Sequence, residues 1–264
     1  MKTSHKIMLC AIVTFGFSSC GSVQLDSSRL GQALAKSTQA MSLTNAQVAE
    51  YVHASVQQMD AQNKVAPASS PYTKRLDRLT SNFKSVNGTP LNFKVYVTDD
   101  INAFACADGS VRVYTGIMDM MTDDELLGII GHEIGHVANE DSKDAFKQAL
   151  LNSAISDAIG STSSTAAALT QGQLGQLANA MASSKYSRKQ ENEADEYGYN
   201  FLKQHGKNPY NMVLAFEKMQ ALEQRASGGR VTGAMANMFS SHPQTSERIK
   251  NIKAMCARDG FKRP

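Results

Sequence analysis

The chain has 264 residues, of which 42% are hydrophobic, and 27 Lys and Arg stand against 24 Asp and Glu for a formal net charge of +3. This near balance, with no basic run interleaved with aromatic residues, argues against nucleic acid as a partner. The length suits one domain with a substantial core plus an extension, and makes a second full domain unexpected.

Residues 1–19 have the pattern of an export signal, with a basic start, an apolar stretch over 7–17 and small residues before Cys20. The stretch is too short to span a bilayer, which needs about 20 residues. The residues before Cys20 resemble a bacterial lipobox, although Phe17 stands where Leu is usual. Gly21 favours sorting to the outer membrane of a Gram-negative cell. We therefore predict a lipoprotein signal peptide and lipidation at Cys20; the alternative is a cleaved signal with release into the periplasm.

Residues 20–66 form the predicted lipidated N-terminus and helical extension. Thr44 has the character of a helix N-cap, and four apolar residues follow at helical spacing: Val48, Val52, Val56 and Met59. We expect this stripe to pack on the main domain, placed at 67–264. A further helix is predicted over 72–84, with core residues Leu76, Leu79 and Phe83.

A small sheet is predicted next. Apolar and polar residues alternate over 93–98, and Val111 with Val113 repeats the pattern after a turn. This period of two is typical of half-buried strands.

His132, Glu133 and His136 form an HExxH motif, a pattern expected about 0.005 times by chance in this composition. Residues i and i+4 share a helix face, so both imidazoles can bind one metal ion. Glu133 can take a proton from the attacking water and return it to a leaving amine. Thr122 and Glu125 form a capping box, which indicates that the motif lies on a helix.

Residues 148–184 contain one charged residue, Asp157, among many Ala, Ser, Leu and Gly. Polar residues interrupt this segment too often for a transmembrane helix. A helical hairpin packed on the domain is the favoured interpretation. The alternative is a surface for a partner, a second copy or the membrane.

A third metal ligand is needed, because a hydrolytic zinc site uses three protein ligands and leaves one position to water. A helix predicted over 186–205 presents Glu191 and Asp195 on one face. One carboxylate could bind the ion while the other orients a ligand histidine. Spacing alone does not separate Glu191 from Glu193 or Glu196.

The C-terminal part adds a predicted helix over 210–224 and then His242. His242 has three interpretations: a packing residue, a hydrogen-bond donor to the transition state, or a displaceable fourth zinc ligand that silences the enzyme at rest. Tyr186, Arg188 and Arg248 are weaker candidates for stabilising an oxyanion.

HExxH with a later ExxxD resembles the HtpX-like and CAAX-prenyl-protease-like group of gluzincin peptidases. The run over 114–123 is similar to that of the LoiP-like outer-membrane lipoprotein proteases, and the likeness covers about 67–257. The resemblance implies a zincin-type fold, one Zn²⁺ per chain, and Glu191 as the third ligand. It implies Asp195 as the supporting carboxylate, often described as a proton donor, and misfolded or misassembled envelope proteins as substrates.

In zinc peptidases of this kind an edge strand beside the zinc helix receives the substrate as an added strand. The stretch Asn102, Ala103, Phe104 and Ala105 resembles that edge. The alternative is an ordinary link between strand and turn, with Phe104 in the core.

Cys106 and Cys256 are left after Cys10, which is removed with the signal, and the lipidated Cys20. In an oxidising periplasm they could form a disulfide. Two separate buried thiols are the equal alternative.

Together these features predict an α+β, predominantly helical metallopeptidase with a small sheet beside the HExxH helix. We expect a zinc endopeptidase that is anchored to the outer membrane, faces the periplasm and cleaves protein or peptide substrates. Envelope-assembly or protease partners are possible, and nucleic acid is not expected. The alternative function is a chaperone-like outer-membrane assembly factor with a mostly closed zinc site.

Overall fold

The computed structural model describes residues 43–152, 166–225, 241–242 and 245–264. The signal peptide and Cys20 lie outside these residues. Within the described part, no helix combines the length and apolarity that crossing a bilayer requires.

Helices dominate the described chain. In chain order the elements are α1 (Asn45–Gln62), α2 (Pro71–Thr80), β1 (Ser85–Val86), β2 (Thr89–Pro90), β3 (Asn92–Tyr96), β4 (Ala103–Ala105), β5 (Ser110–Tyr114), α3 (Thr115–Met120), α4 (Asp123–Ala138), α5 (Asp141–Asn152), a 3₁₀ turn (Ala166–Ala168), α6 (Gln171–Ala182), α7 (Arg188–Gln204), α8 (Tyr210–Arg225) and α9 (Thr245–Arg258).

Polar side chains fix where the two most important helices begin. Thr44 caps α1 and shares a capping box with Gln47. Thr122 caps α4 and shares a capping box with Glu125, as the sequence predicts. The predicted helix over 72–84 is shorter than expected, because α2 ends at Thr80.

β1 and β2 form a hairpin that the sequence analysis did not include. Asn87 has φ 47° and Gly88 has φ 82°, the left-handed pair that a tight two-residue turn requires. The Asn87 side-chain amide donates to the carbonyl of Ala138, 3.0 Å away at the end of α4. The hairpin is thereby tied to the end of the HExxH helix.

The second sheet has the order β3-β5-β4. β3 runs parallel to β5, and β4 runs antiparallel to it with Phe104 opposite Arg112. Within the described residues β4 is therefore an edge strand, and α4 packs beside it.

Each face of this sheet is covered by its own hydrophobic cluster. Ala103 and Ala105 belong to a first cluster built with α4, α7, α8 and α9. Phe104 and Cys106 point to the opposite face and join a second cluster with α1, α5 and α6. The period of two along β4 thus separates the two clusters.

α1 is also attached to the sheet by a buried group of charges, here called the Asp60 network. Arg112 is 2% exposed and donates from Nε and Nη2 to the two oxygens of Asp60, at 2.8 and 3.0 Å. Tyr96 and Lys94 complete the carboxylate's partners at 2.6 and 2.8 Å. Burial would raise the pKa of Asp60, but hydrogen bonds from Arg112, Lys94 and Tyr96 outweigh it and hold the pKa below its usual range.

Of the two alternatives for Cys106 and Cys256, a disulfide or separate buried thiols, the structure has the second. Both thiols are free and buried. Cys106 lies in the second cluster and Cys256 in the first, so the two belong to different cores. Burial raises the pKa of the Cys256 thiol to about 11.

The predicted α+β, predominantly helical class is confirmed, with the small sheet beside the HExxH helix. The charge-poor segment, 148–184, begins in the last residues of α5 and contains α6 near its other end. These two helices pack against each other and against α1. This agrees with the packed helical hairpin; residues 153–165 between them lie outside the described part.

Candidate active site

The candidate active site is built where α4 crosses α7. Glycines let the two backbones approach: a side chain at Gly135 would lie 3.1 Å from the Cα of Ala194, and one at Gly198 would lie 3.0 Å from the amide nitrogen of His132. This close crossing brings Glu191 and Asp195 of α7 to the HExxH face of α4.

Four buried residues point potential ligand atoms at one place: His132, His136, Glu191 and His242. One ligand atom from each lies within 4.8 Å of all the others. Nε2 of His132 is 3.2 Å from Nε2 of His136 and 3.7 Å from Oε2 of Glu191. We call these four residues the metal cluster.

Each HExxH histidine has a carboxylate behind it. Nδ1 of His132 lies 2.9 Å from Oδ1 of Asp195. Nδ1 of His136 lies 2.9 Å from Oδ2 of Asp141. Such partners fix the tautomer and turn Nε2 toward the ion.

The sequence analysis missed Asp141. It reaches His136 because the chain turns back just after α4, where Glu140 has φ 63°. A left-handed residue directly after a helix commonly ends the helix. The acidic residue that follows it in the sequence was the signal that could have indicated a partner for His136.

Arg248 neutralises the carboxylates of α7. Its guanidinium donates to Asp195 at 2.6 and 2.8 Å, and its Nη1 lies 2.6 Å from Oε2 of Glu191. It also lies over the ring of Phe216, 4.4 Å from the centroid. The guanidinium of Arg248 is therefore bound to the two carboxylates of α7. Arg188, another candidate for stabilising the oxyanion, is exposed.

The protonation states of His132 and Glu191 suit metal ligation. Burial, aided by the charge of Arg248, lowers the pKa of His132 to about 3, which keeps this imidazole neutral. Burial would raise the pKa of Glu191, but the positive charges of His242 and Arg248 outweigh it and hold the pKa well below its usual range. A neutral imidazole and an ionised carboxylate are the forms that bind metal.

Glu133 is 1% exposed, and burial raises its pKa to about 7, against the opposing charge of His242. A backbone hydrogen bond from Ala105 of β4 holds the carboxylate. Its Oε1 faces Nε2 of His242 at 3.6 Å. A carboxyl group poised near neutral pH is suited to receive and release a proton.

His242 closes the site from the other side. Its Nδ1 lies 2.8 Å from Oε1 of Glu191 and 3.3 Å from Nε2 of His132. The ring of Tyr186 stacks on His136 with centroids 3.8 Å apart and lies 5.4 Å from the ring of His242. The position of His242 within the metal cluster is compatible with the third interpretation, a fourth zinc ligand.

β4 presents its outer edge beside the cluster. The amide of Tyr114 donates to the carbonyl of Asn102, and that of Cys106 to Ser110, so the N–H and C=O of Ala103 and Ala105 point away from β5. The Ala105 carbonyl accepts from the Ser142 hydroxyl at 3.2 Å. No described residue forms a hydrogen bond with the outer backbone groups of Ala103, and this residue is buried.

The cluster fits a bound cation. Oε1 of Glu133 is buried without a hydrogen-bond partner among the described residues, whereas Oε2 of Glu191 lies in an ion pair with Arg248. A buried carboxylate oxygen left unpaired costs about 1–3 kcal/mol. Two imidazoles and a carboxylate form the donor set of catalytic zinc sites, and a bound ion would place a positive charge beside the buried Glu133 and Glu191.

The comparisons agree with this site. The model described as Peptidase family M48 matches residues 72–256. The chain belongs to this family. It is 40% identical to Metalloprotease LoiP of Escherichia coli (strain K12) over 243 residues, which cover 92% of this chain and 93% of that protein.

A second relative is Metalloprotease YcaL of the same organism, 41% identical over 215 residues that cover 81% of this chain and 82% of that protein. The Protease HtpX homolog of Salinibacter ruber is 30% identical over 186 residues, which cover 61% of this chain and 66% of that protein. As an M48 peptidase the chain is a metalloendopeptidase, and its similarity to the HtpX-like and LoiP-like proteins is confirmed.

Proposed function

We propose that the chain is a zinc-dependent endopeptidase, anchored to the outer membrane through Cys20, that hydrolyses misfolded or misassembled cell-envelope proteins. The metal cluster carries the proposal, because it joins two imidazoles and a carboxylate to an adjacent buried Glu133. The lipobox-like residues before Cys20 support the anchor.

His132, His136 and Glu191 would hold the zinc ion. When bound, zinc supplies a Lewis acid that polarises the scissile carbonyl and makes the attacking water more acidic. Asp195 and Asp141 orient the two imidazoles, at 2.9 Å each.

Glu133 performs the proton transfers. Its unpaired Oε1 accepts the proton of the attacking water, and the protonated carboxyl then donates it to the leaving amine. The low exposure of Glu133 keeps bulk water from exchanging that proton. A pKa near 7 supports both steps.

The edge of β4 would hold the substrate backbone. An extended peptide that pairs with the outward N–H and C=O of Ala103 would lie beside Glu133, whatever its side chains. Phe104 donates toward β5, so Ala103→Pro is the sharper test: it removes one outward N–H from an edge position. Ala103 is 1% exposed, so thermal unfolding should first show that the variant is folded. We expect KM for peptides to rise in the folded variant; an unchanged KM would rule out backbone pairing here.

His242 is proposed as a displaceable ligand. A catalytic site keeps one position open, and His242 lies where that position would be, between Glu191 and Glu133. His242→Ala should raise peptidase activity while retaining zinc. If activity stays the same, His242 neither restrains nor assists the reaction.

The decisive experiment replaces Glu133 by Gln and measures cleavage of casein by zinc-loaded protein. We expect kcat to fall by about 10²–10⁴-fold, because the proton acceptor is lost. Glu193→Gln, an exposed glutamate of α7, is the matched control and should cleave like wild type. A chelator should abolish wild-type activity and added zinc should restore it.

The same variant separates the second candidate function, a chaperone-like assembly factor with a mostly closed zinc site. The contact of His242 with Glu191 is the observation that favours a closed site. In an outer-membrane assembly assay the Glu133→Gln protein should fail if proteolysis is the function. Full assembly activity in that variant would favour the assembly factor.

A further inference from the structure

Ala105, the last residue of β4, has both of its backbone polar groups bound inside the protein. Its N–H donates to the carboxylate of Glu133. Its carbonyl accepts from the hydroxyl of Ser142 at 3.2 Å. The backbone of this one residue therefore connects Glu133 of α4 to the first turn of α5.

Ser142 is buried at the start of α5 and has a partner on each side. A hydroxyl has one hydrogen to donate, and in Ser142 that hydrogen goes to the Ala105 carbonyl. The oxygen can still accept, and a side-chain hydrogen bond joins it to Tyr186. The ring of Tyr186 stacks on His136 with centroids 3.8 Å apart. The hydroxyl of Ser142 is therefore held in one orientation.

The turn before Ser142 supports a second member of the site. Glu140, with φ 63°, turns the chain, and Oδ2 of the next residue, Asp141, lies 2.9 Å from Nδ1 of His136. Ser142 follows directly and reaches Ala105 instead. Two adjacent residues thus act on different groups: Asp141 supports a metal ligand, whereas Ser142 lies behind the residue that transfers the proton.

The carboxylate of Glu133 needs such a restraint. Its Oε1 has no hydrogen-bond partner among the described residues, and Nε2 of His242 lies 3.6 Å from it. A proton acceptor has to lie within hydrogen-bond reach of the attacking water. A displacement of about 1 Å can lower a rate by about 100-fold. The direction of the Ala105 N–H therefore matters for the reaction.

We propose that Ser142 is a positioning residue for Glu133 and acts through the backbone of Ala105. By binding the Ala105 carbonyl, the hydroxyl fixes the main-chain conformation of this residue and with it the direction of the N–H that holds Glu133. Ser142 acts through Ala105 and not on the reacting atoms. This inference rests on the role proposed for Glu133.

The test compares full-length, zinc-loaded wild type and Ser142→Ala on one fluorogenic peptide. We expect kcat to fall by about 10–100-fold, whereas KM and zinc affinity should stay at the wild-type values. Ser142→Thr restores the hydroxyl and should recover most of the lost kcat. Ser142 lines a cavity of about 250 Å³, which leaves room for the added methyl group.

Ser55→Ala is the matched control. It removes another buried hydroxyl, which donates to the carbonyl of Tyr51 at 2.8 Å within α1, and it should cleave like wild type. Thermal unfolding of both alanine variants should show that each is folded.

A double-mutant cycle with Glu133→Gln separates positioning from general damage to the fold. If Ser142 acts through Glu133, Ser142→Ala should lower the residual kcat of Glu133→Gln by no more than about twofold. An unchanged kcat in the single variant Ser142→Ala, or the same fold loss in both backgrounds, would overturn the proposal. If Glu133→Gln alone cleaves as well as wild type, the role of Glu133 itself fails, and this outcome is distinguishable from loss of the positioning role alone.

Discussion

The protein contains two groups of buried charged side chains that look alike in composition but differ in how their atoms are satisfied. In the Asp60 network both carboxylate oxygens have two donors each. In the active site, Oε1 of Glu133 is buried without a hydrogen-bond partner among the described residues, although Oε2 of Glu191 is paired with Arg248. A folded protein tolerates such an oxygen where something else binds it. The difference indicates that the first group serves stability and the second serves a ligand.

The largest expected effect is the loss of a ligand from the metal cluster. Glu191→Gln keeps the shape but removes the charge, so zinc affinity should fall by more than the about 100-fold typical for loss of a supporting partner, and peptidase activity should be lost. Competition with a chromogenic chelator measures the affinity. Wild-type affinity in this variant would mean that Glu191 is not a ligand.

Asp60→Asn should have the opposite profile. The change leaves the buried guanidinium of Arg112 without its counter-charge, and the free energy of unfolding should fall by about 3 kcal/mol. Urea unfolding measures it. Zinc affinity should stay at the wild-type value, and Asp119→Asn, an exposed carboxylate that accepts from Tyr72, should change stability little. Equal loss of zinc binding in Asp60→Asn would remove the distinction between the two groups.

The contribution of Asp60 to the free energy of unfolding should also depend on pH in a defined direction. Because the folded protein holds the pKa of Asp60 below its ordinary value of 3.8, the ionised form stabilises the fold at higher pH. The contribution is complete above pH 3.8 and is lost as the pH falls from 3.8 through the lower folded pKa. The stability difference between wild type and Asp60→Asn should shrink over that acid range; a difference independent of pH would contradict the ion pair.

The smallest effect concerns the crossing of α4 and α7. A methyl group at Gly198 would lie 3.0 Å from the amide nitrogen of His132 and from Cε of Met212. Gly198→Ala should cost about 1–3 kcal/mol of stability, and the displaced α7 should weaken zinc binding. Gly172→Ala in α6, which meets nothing within 4 Å, is the matched control and should not destabilise. Thermal unfolding and zinc titration together measure both effects.

Local signals predicted much of this arrangement. The capping residues Thr44 and Thr122 are short-range features, and each begins a helix as expected. The i, i+4 spacing placed both HExxH histidines on one face of α4. The same spacing placed Glu191 and Asp195 on one face of α7. In the structure both carboxylates lie against His132 of α4.

What the sequence could not provide depends on contacts between distant elements. Asp141 becomes the partner of His136 only after a left-handed residue turns the chain. The choice between a disulfide and two separate thiols stayed open for a similar reason: alternation along β4 puts Cys106 opposite to Ala105, but it does not say which face of the sheet Cys256 approaches. His242 stayed ambiguous because nothing near it in the sequence marks the metal site as its neighbour.

The packing of α1 has a consequence for how the protein is handled. Five of its apolar residues are almost inaccessible to solvent: Val48, Tyr51, Val52, Val56 and Met59. A shortened chain cut to the family boundaries, 72–256, would leave the aromatic rings of Tyr96, Phe104 and Phe146 uncovered. Contiguous exposed apolar surface of that kind promotes aggregation. Recombinant production should therefore begin before Thr44, even though the family boundaries alone would leave that helix out.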